Sequence, residues 1–306
     1  MILSIVFALS IAFPRPNVEL PSVDRTYMSG AVNRGITNVF VQGKSVPVYF
    51  TGGWVTMIDV KEGANNIEIT AGNHSTNYIV NVAKRVNGSS SQGKKVNKVY
   101  NKLPYAGDWP RALQQVADRH KSFVVVDPGH GGRNDCGAVS PHGYFEKDAN
   151  LLLSKAIRSE LLKLGFGVIM TRESDVAIDL YERPKLACTN KNVIAFVSVH
   201  HNAPVCNLDP RTVRYASVYA WNQIGRDLAK EISDLMSRAL AGDIPNNGVM
   251  NGNFAVTRNP EVPSCLIEAD FITTPEGEYA IWDYKRRRKI AKAVAEGIDK
   301  WFVTQR

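Results

Sequence analysis

Two histidines and two glutamates carry the strongest chemical signal in this 306-residue chain. His130 stands in Asp127-Pro-Gly-His-Gly-Gly132 and His200 in Ser198-Val-His-His-Asn202. Glu146 precedes a helical pattern, and Glu268 ends the apolar run Cys265-Leu-Ile267. Imidazole nitrogens and carboxylate oxygens bind zinc, and two His with one Glu around an open fourth position is a catalytic zinc arrangement. Such a set leaves one carboxylate over for proton transfer. The glycines flanking His130 allow backbone conformations that let a metal and a substrate approach closely. Each residue also has a plainer reading. His130 can cap a turn, His200 can be a satisfied core histidine, Glu146 can favour a helix dipole, and Glu268 can cap a helix or complete an ion pair. Their common placement, at strand ends or in the loops leaving them, joins them into one candidate site.

The elements that must position these residues follow from hydrophobic periodicity. Apolar runs at Phe123–Val126, Gly167–Thr171, Val193–Val199, Ala216–Ala220 and Cys265–Ile267 read as strands. Between and after them, Ala149–Leu164, Gly225–Leu240 and Lys285–Phe302 carry apolar side chains at helical spacing. The expected fold class is therefore α/β, a mostly parallel sheet with helices on both faces, preceded by a small all-β sandwich. Ligands of such sheets bind beyond the carboxyl ends of the strands, where the four residues fall. The sandwich is read from alternating runs at Asn38–Val41, Val46–Phe50, Trp54–Val60, Glu62–Ala71 and Asn77–Val82, separated by Gly-rich turns. Asn87–Lys98 is polar and Gly/Ser-rich, the composition of a flexible linker. The expected division is a signal peptide over 1–16, a sandwich over 17–86, a linker and lead-in over 87–120, and a catalytic domain over 121–306.

The signal peptide is read from Met1–Phe13, an apolar stretch too short to span a bilayer. It predicts export to the periplasm or cell envelope; a buried N-terminal strand is the alternative. Hydrophobic residues at 44% and charged residues at 22% are an ordinary globular balance, and the net charge of +8 points to an anionic partner. Nucleic acid is not expected, because no finger or RNA-binding motif is present. The run Lys285-Arg-Arg-Arg-Lys289 is a solvated helix face or a contact for an anionic polymer or a membrane surface. Cys136, Cys188, Cys206 and Cys265 form no C-x-x-C pair, so a thiolate zinc site is not expected, and they read as buried thiols. Nothing in the sequence calls for more than a monomer.

The region Phe123–Phe302 resembles the zinc-dependent N-acetylmuramoyl-L-alanine amidases of the amidase-3 type. The motifs, in order, are Asp127-Pro-Gly-His-Gly-Gly132, Cys136-Gly-Ala138, Gly143 and Glu146-Lys147. Thr171-Arg172, Asp175, Leu180, Arg183 and Ala187 follow, then Ser198-Val-His-His-Asn202. Asn253-Phe-Ala-Val-Thr-Arg258 and Pro263-Ser-Cys-Leu-Ile-Glu268-Ala-Asp-Phe271 close the set. His201 stands where the family usually has Ala, and Asp270 where it has Gly. Upstream, Ile58–Ala71 resembles the end of bacterial immunoglobulin-like wall modules, with Ile58, Val60, Gly63, Asn65, Ile67 and Ile69 at the fixed positions.

The resemblance implies that His130, Glu146 and His200 ligate Zn2+ and that Glu268 is the catalytic carboxylate. The implied reaction is hydrolysis of the amide joining N-acetylmuramic acid to L-alanine in peptidoglycan. Zinc lowers the pKa of bound water from about 15.7 toward about 7, and Glu268 takes the proton and delivers it to the leaving amine. Asp127 is expected either to orient a ligand histidine or to be a turn residue. Arg172 and Arg183 are candidates for binding peptide carboxylates, with structural ion pairs as the alternative. His201 reads as a bystander or a substrate contact, and Asn202 as part of the same strand end. Several family members carry an extra helix after the second histidine motif that plugs the site; residues 203–214 are too few for it, which predicts an open site. The rival readings are an inactive peptidoglycan-binding module and a zinc peptidase acting on wall peptides.

Overall fold

The computed structural model describes residues 9–85, 118–188, 190–259 and 262–305. The first span is all β: β1 (Leu9–Phe13), β2 (Glu19–Leu20), β3 (Arg25–Val32), β4 (Asn38–Val41), β5 (Lys44–Pro47), β6 (Gly53–Asp59), β7 (Gly63–Ala71) and β8 (His74–Val82). A three-stranded sheet of order β1-β3-β6 faces a five-stranded sheet of order β2-β8-β7-β4-β5. The alternation expected of a half-buried strand is plainest in β7, where Asn65, Ile67, Ile69 and Ala71 are buried and Ala64, Asn66 and Glu68 exposed. Trp54 and Met28 of one sheet share a core with Val39, Ile67 and Val80 of the other. Asn65 is polar yet buried because its amide closes the preceding turn. It accepts from Lys61 N at 2.9 Å and donates to the carbonyls of Lys61, Gly63 and Val80.

Two features depart from the sequence reading. From Leu9 onward, the segment read as a leader is part of the sandwich: β1 pairs antiparallel with β3, and Phe13 stacks on Tyr27 at 4.3 Å. Residues 9–13 thus form a strand that is half-buried except for the buried Ala12, while residues 1–8 lie outside the described residues, as do most of the linker and the lead-in through 117. Strand β3 shows no alternation because its outer positions are covered too, in part by the segment around Cys206, whose carbonyl accepts from Tyr27 N at 3.3 Å.

The second half contains β9 (Phe123–Pro128), α1 (Glu146–Lys163), β10 (Gly167–Met170), α2 (Glu182–Cys188), β11 (Val193–Asn202), β12 (Ala216–Ala220), α3 (Gln223–Ala239), β13 (Asn246–Asn251), β14 (Ser264–Phe271), α4 (Pro275–Trp282) and α5 (Tyr284–Thr304). These form a six-stranded sheet of order β10-β9-β11-β14-β12-β13. The ladders are parallel except where β12 meets β14. Helices α1, α3 and α5 cover one face, packing Leu153, Ile157, Ile232, Met236, Val294 and Ile298 on Val124, Val126, Val197, Val199 and Ile267. The other face, with Val125, Phe196 and Leu266, lies under Ala187 of α2 and Val256. Helices α2 and α4 and strand β13 were not anticipated. Helix α2 is too short to show a period, and β13 is a polar edge strand. Helix α4 opens on Thr274-Pro275, a cap and first-turn proline that the apolar pattern does not reveal.

Trp54 is fully buried at the centre of the sandwich. Trp54→Ala is expected to cost about 3–5 kcal/mol, the usual loss for an aromatic cavity. Chemical denaturation followed by circular dichroism measures it, and a loss below 1 kcal/mol would contradict the core as described.

Candidate metal centre

The first turn after β9 is held by a buried ionic clamp. The Asp127 carboxylate is fully buried and accepts from Thr171 Oγ1 at 2.6 Å, Ser198 Oγ at 2.7 Å and Arg183 Nη1 at 2.9 Å. Arg183 also donates to the carbonyls of Pro128 and His130, and Arg172 to those of Pro128, Gly129 and Lys147. The two guanidiniums are thus spent on the backbone on both sides of the site. Their planar fork of donors suits this, and a lysine could not replace it. Of the two readings of these arginines, the structural one describes what is seen: both are buried, and Arg183 pairs with Asp127. The clamp corrects the placement of Asp127, which braces Arg183 and two hydroxyls and touches no ligand histidine.

The clamp forces an unusual backbone. His130 has φ of 61°, a left-handed conformation rare for a residue with a Cβ. It aims the ring at Glu146, with Nε2 at 3.2 Å from Oε2. The opposite nitrogen, Nδ1, lies 2.6 Å from Asp135 Oδ1. An Asp135 carboxylate there selects the tautomer with its proton on Nδ1 and leaves the Nε2 lone pair facing the site. Sequence reasoning missed Asp135. The signal available was an acid five residues beyond the histidine in a glycine-rich loop.

Glu146 opens α1 one residue after Phe145, which provides no side-chain cap. Its carboxylate is turned into the site. Oε1 lies 3.0 Å from His200 Nδ1 and accepts from Asn150 Nδ2 at 3.0 Å and His201 N at 3.3 Å, while Oε2 accepts from Ala138 N at 2.9 Å. His200 is set by register, because it pairs with Glu268 where β11 runs beside β14. Side chains alternate along a strand, so His200 and Glu268 share the sheet face of Ser198 and Leu266. His201 points to the opposite face, where its Nδ1 meets Asn150 Oδ1 at 2.8 Å. His201 is therefore buried against α1, and its link to the site runs through Asn150 and its own backbone. Asn202 turns its side chain back on Ala203 N. Asp270 is fully buried in an ion pair with Arg214 and Arg286, which accounts for a carboxylate at that position.

Two glycines make room for this cluster. A Cβ on Gly129 would lie 2.1 Å from the His200 ring, and one on Gly137 would lie 2.5 Å from Glu146 Oε2 and 2.7 Å from His130 Cδ2. The ligand atoms of His130, Glu146 and His200 lie within 4.8 Å of one another, the spacing of groups that can share one cation. Nitrogen, nitrogen and carboxylate oxygen is a zinc donor set. Burial works against charge on His130, but the Glu146 and Asp135 carboxylates outweigh it and push the ring up to about 9. Burial likewise opposes ionisation of Glu146, yet His130 and His200 hold it well below the usual carboxylate range. A proton on His130 offsets charge on the buried carboxylate, a role that a bound cation would fill. Burial and, next, the Glu146 charge push the Glu268 carboxyl well above its ordinary range, and its Oε2 is buried with no hydrogen-bond partner among the described residues. Between β11 and β12 there is only a 3-10 turn at Pro210–Thr212, so no helix in that segment covers the two histidines. Cys136, Cys206 and Cys265 carry free thiols.

Asp135→Asn is expected to weaken zinc binding by about 10–100-fold, the usual effect of losing a histidine's partner. Chelator competition measures it. An unchanged affinity would remove Asp135 from the site. His201 supplies a pH test. Burial pulls its pKa from 6.5 to about 3, so the folded ring stays neutral while the unfolded chain takes a proton below pH 6.5. Stability from this residue is complete above pH 6.5 and is lost as the pH falls toward 3. Melting temperatures of wild type and His201→Ala should therefore converge between pH 7 and pH 4, and parallel curves would contradict the assignment.

A family model described as N-acetylmuramoyl-L-alanine amidase matches residues 124–300, more than half of the chain. The N-acetylmuramoyl-L-alanine amidase AmiA of Escherichia coli is 31% identical over 227 residues, covering 60% of this chain and 76% of that protein. Among solved structures, the N-acetylmuramoyl-L-alanine amidase AmiC2 of Nostoc punctiforme superposes with a TM-score of 0.55 at 32% identity, covering 61% of this chain and 98% of that one. An N-acetylmuramoyl-L-alanine amidase of Clostridium difficile 630 gives 0.56 at 29% identity, covering 60% and 97%. With the motifs in order and the fold matched across the second half, the chain belongs to the N-acetylmuramoyl-L-alanine amidase family.

Proposed function

We propose that this chain is a zinc-dependent hydrolase of peptidoglycan that cleaves the amide between N-acetylmuramic acid and L-alanine. The observation that carries the reading is the convergence of His130, Glu146 and His200 beside the half-buried Glu268, whose Oε2 is enclosed with no hydrogen-bond partner among the described residues. His130 and His200 would hold the ion through ring nitrogens and Glu146 through a carboxylate oxygen, with Asp135 and Asn150 keeping the ligands in place. Zinc, when bound, supplies Lewis acidity that makes water reactive at neutral pH and polarises the amide carbonyl. Glu268 accepts a proton from the attacking water. Burial and the Glu146 charge raise its pKa, which makes its carboxylate a stronger base for that proton. It then gives the proton to the amide nitrogen as the C–N bond breaks, releasing a lactyl carboxylate on the sugar and a free L-alanine amine on the stem. The segment after His200 carries no covering helix, which supports a site that needs no activator.

The rest of the reading follows from this substrate. Peptidoglycan lies outside the cytoplasmic membrane, so the protein acts in the envelope after export, as a monomer. No helix among the described residues is long and apolar enough to cross a membrane. The sandwich, read over 17–86 and extended in the structure by β1, is an immunoglobulin-like module, and the basic face around Lys285–Lys289 is suited to anionic wall polymers or headgroups. Purified protein given peptidoglycan is expected to release intact stem peptides with free L-alanine termini, and to stop when zinc is chelated. Glu268→Gln should lower kcat about 100–10,000-fold, the range for losing a general acid–base, while zinc content stays unchanged. Cleavage between amino acids, or no release by a zinc-loaded wild type, would overturn the amidase reading.

A further inference from the structure

The two halves of the chain meet along a cleft that the metal centre does not use. Its volume is about 970 Å³, at the upper end of the ~300–1,000 Å³ usual for ligand pockets. The walls are aromatic: Phe50 comes from the sandwich, Tyr144 from the loop before α1, Tyr279 and Trp282 from α4, and Tyr284 from the start of α5. A folded protein ordinarily hides such rings, yet Phe50 is 78% exposed, Tyr279 58% and Tyr284 61%. They are not loosely placed. Phe50 meets Tyr279 edge-on at 5.2 Å across the junction of the two halves, and Tyr144 packs on Trp282 at 5.2 Å.

Polar groups tie the walls together. His142 Nδ1 lies 3.0 Å from Oε2 of the buried Glu278, and the ring faces the backbone of Thr51 in the sandwich. One histidine thus fixes a sandwich loop, the loop before α1 and α4 in a single arrangement. Gly53 packs tightly here as well, since a Cβ on it would sit 3.2 Å from Pro141 and 3.3 Å from Pro275. The cleft is therefore formed before anything binds, which removes the ordering cost that weakens flexible sites.

Exposed, rigid aromatic plates with polar groups at the rim match one chemical class of ligand. A pyranose ring presents C–H groups on its faces and hydroxyl or acetamide groups around its edge. Such faces pack on aromatic rings, and at the rim of this cleft the Asp283 carboxylate can accept from a sugar hydroxyl and the Lys285 ammonium can donate to one. A lipid surface would need a continuous apolar face without this polar rim. One wall of the cleft lies close to the reaction site along the chain. Tyr144 is two residues from Glu146, at most about 7 Å along the backbone, and the same loop donates Ala138 N to the Glu146 carboxylate.

We propose that this interdomain cleft binds the N-acetylated glycan strand of the wall polymer and presents the attached lactyl amide to the metal centre. The proposal rests on the amidase reading for the identity of the polymer, but its test does not depend on turnover. Chitotetraose, a soluble chain of N-acetylglucosamine without peptide, is titrated into the full-length protein by calorimetry. It should bind, with Phe50→Ala and Tyr279→Ala each weakening the affinity at least tenfold. Both side chains are exposed, so the variants should fold; circular dichroism and zinc content check that. Ile79→Ala, an exposed apolar residue on β8 outside the cleft, should bind as wild type does. Absence of binding at millimolar chitotetraose, binding indifferent to Phe50 and Tyr279, or binding of polyphosphate in place of the sugar would each overturn the proposal. Failure of peptide release with intact sugar binding would instead count against the amidase reading alone.

Discussion

A buried carboxylate needs compensation from every side, and the site is organised around supplying it to Glu146. Removing an ionised carboxylate from water costs several kcal/mol unless hydrogen bonds and opposite charge replace the hydration. Here the replacements arrive from four separate parts of the chain: the His130 loop, the turn at Ala138, the helix position Asn150 and the strand end at His200–His201. Each donor is in place only if its own element is. The left-handed His130, the glycines at 129 and 137, and the guanidinium clamp on the β9 turn all serve to close that shell. The shell leaves the imidazoles facing one another with no bulky group between them, which is the geometry a single cation can exploit.

Much of this was legible in the sequence because strand ends impose it. Alternating apolar runs located β9, β11, β12 and β14 to within a few residues, and the fold class placed their carboxyl ends together. His130, Glu146 and His200 therefore converge as expected, with Glu268 beside them. Pair-wise partners were less legible. Asp127 and Asp135 both flank His130 in the chain, and periodicity cannot say which carboxylate the ring meets. The answer depends on Arg183, more than fifty residues away, which claims Asp127. Arg172 and Arg183 looked like substrate ligands because sequence shows a charge but not whether its donors are already used. Helix α1 begins three residues before its apolar pattern does, since its first turn is polar and turned toward the site.

The junction of the two halves shows a different economy. Beside its packing contacts it carries directional ones: a backbone bond from Tyr27 to Cys206, Arg15 donating to Cys136, and His142, paired with Glu278, set against Thr51. Contacts of this kind fix orientation more than they add stability, because hydrogen bonds at a wet surface contribute little net energy. Arg15 reaches the loop whose Gly137 packs on Glu146. A sandwich oriented in this way forms part of the surroundings of the metal centre.

The order of strands in the second sheet has a consequence for synthesis. Strand β14 is made last but lies in the interior, between β11 and β12. Until it emerges from the ribosome, β11 has an open edge, β12 and β13 have nothing to join, and the carboxyl of Glu268 does not exist. Long-range strand insertion of this kind is slow compared with local folding. A growing chain can therefore contain both histidines while the strand that places Glu268 beside them is still missing. The topology ties assembly of the site to the emergence of β14.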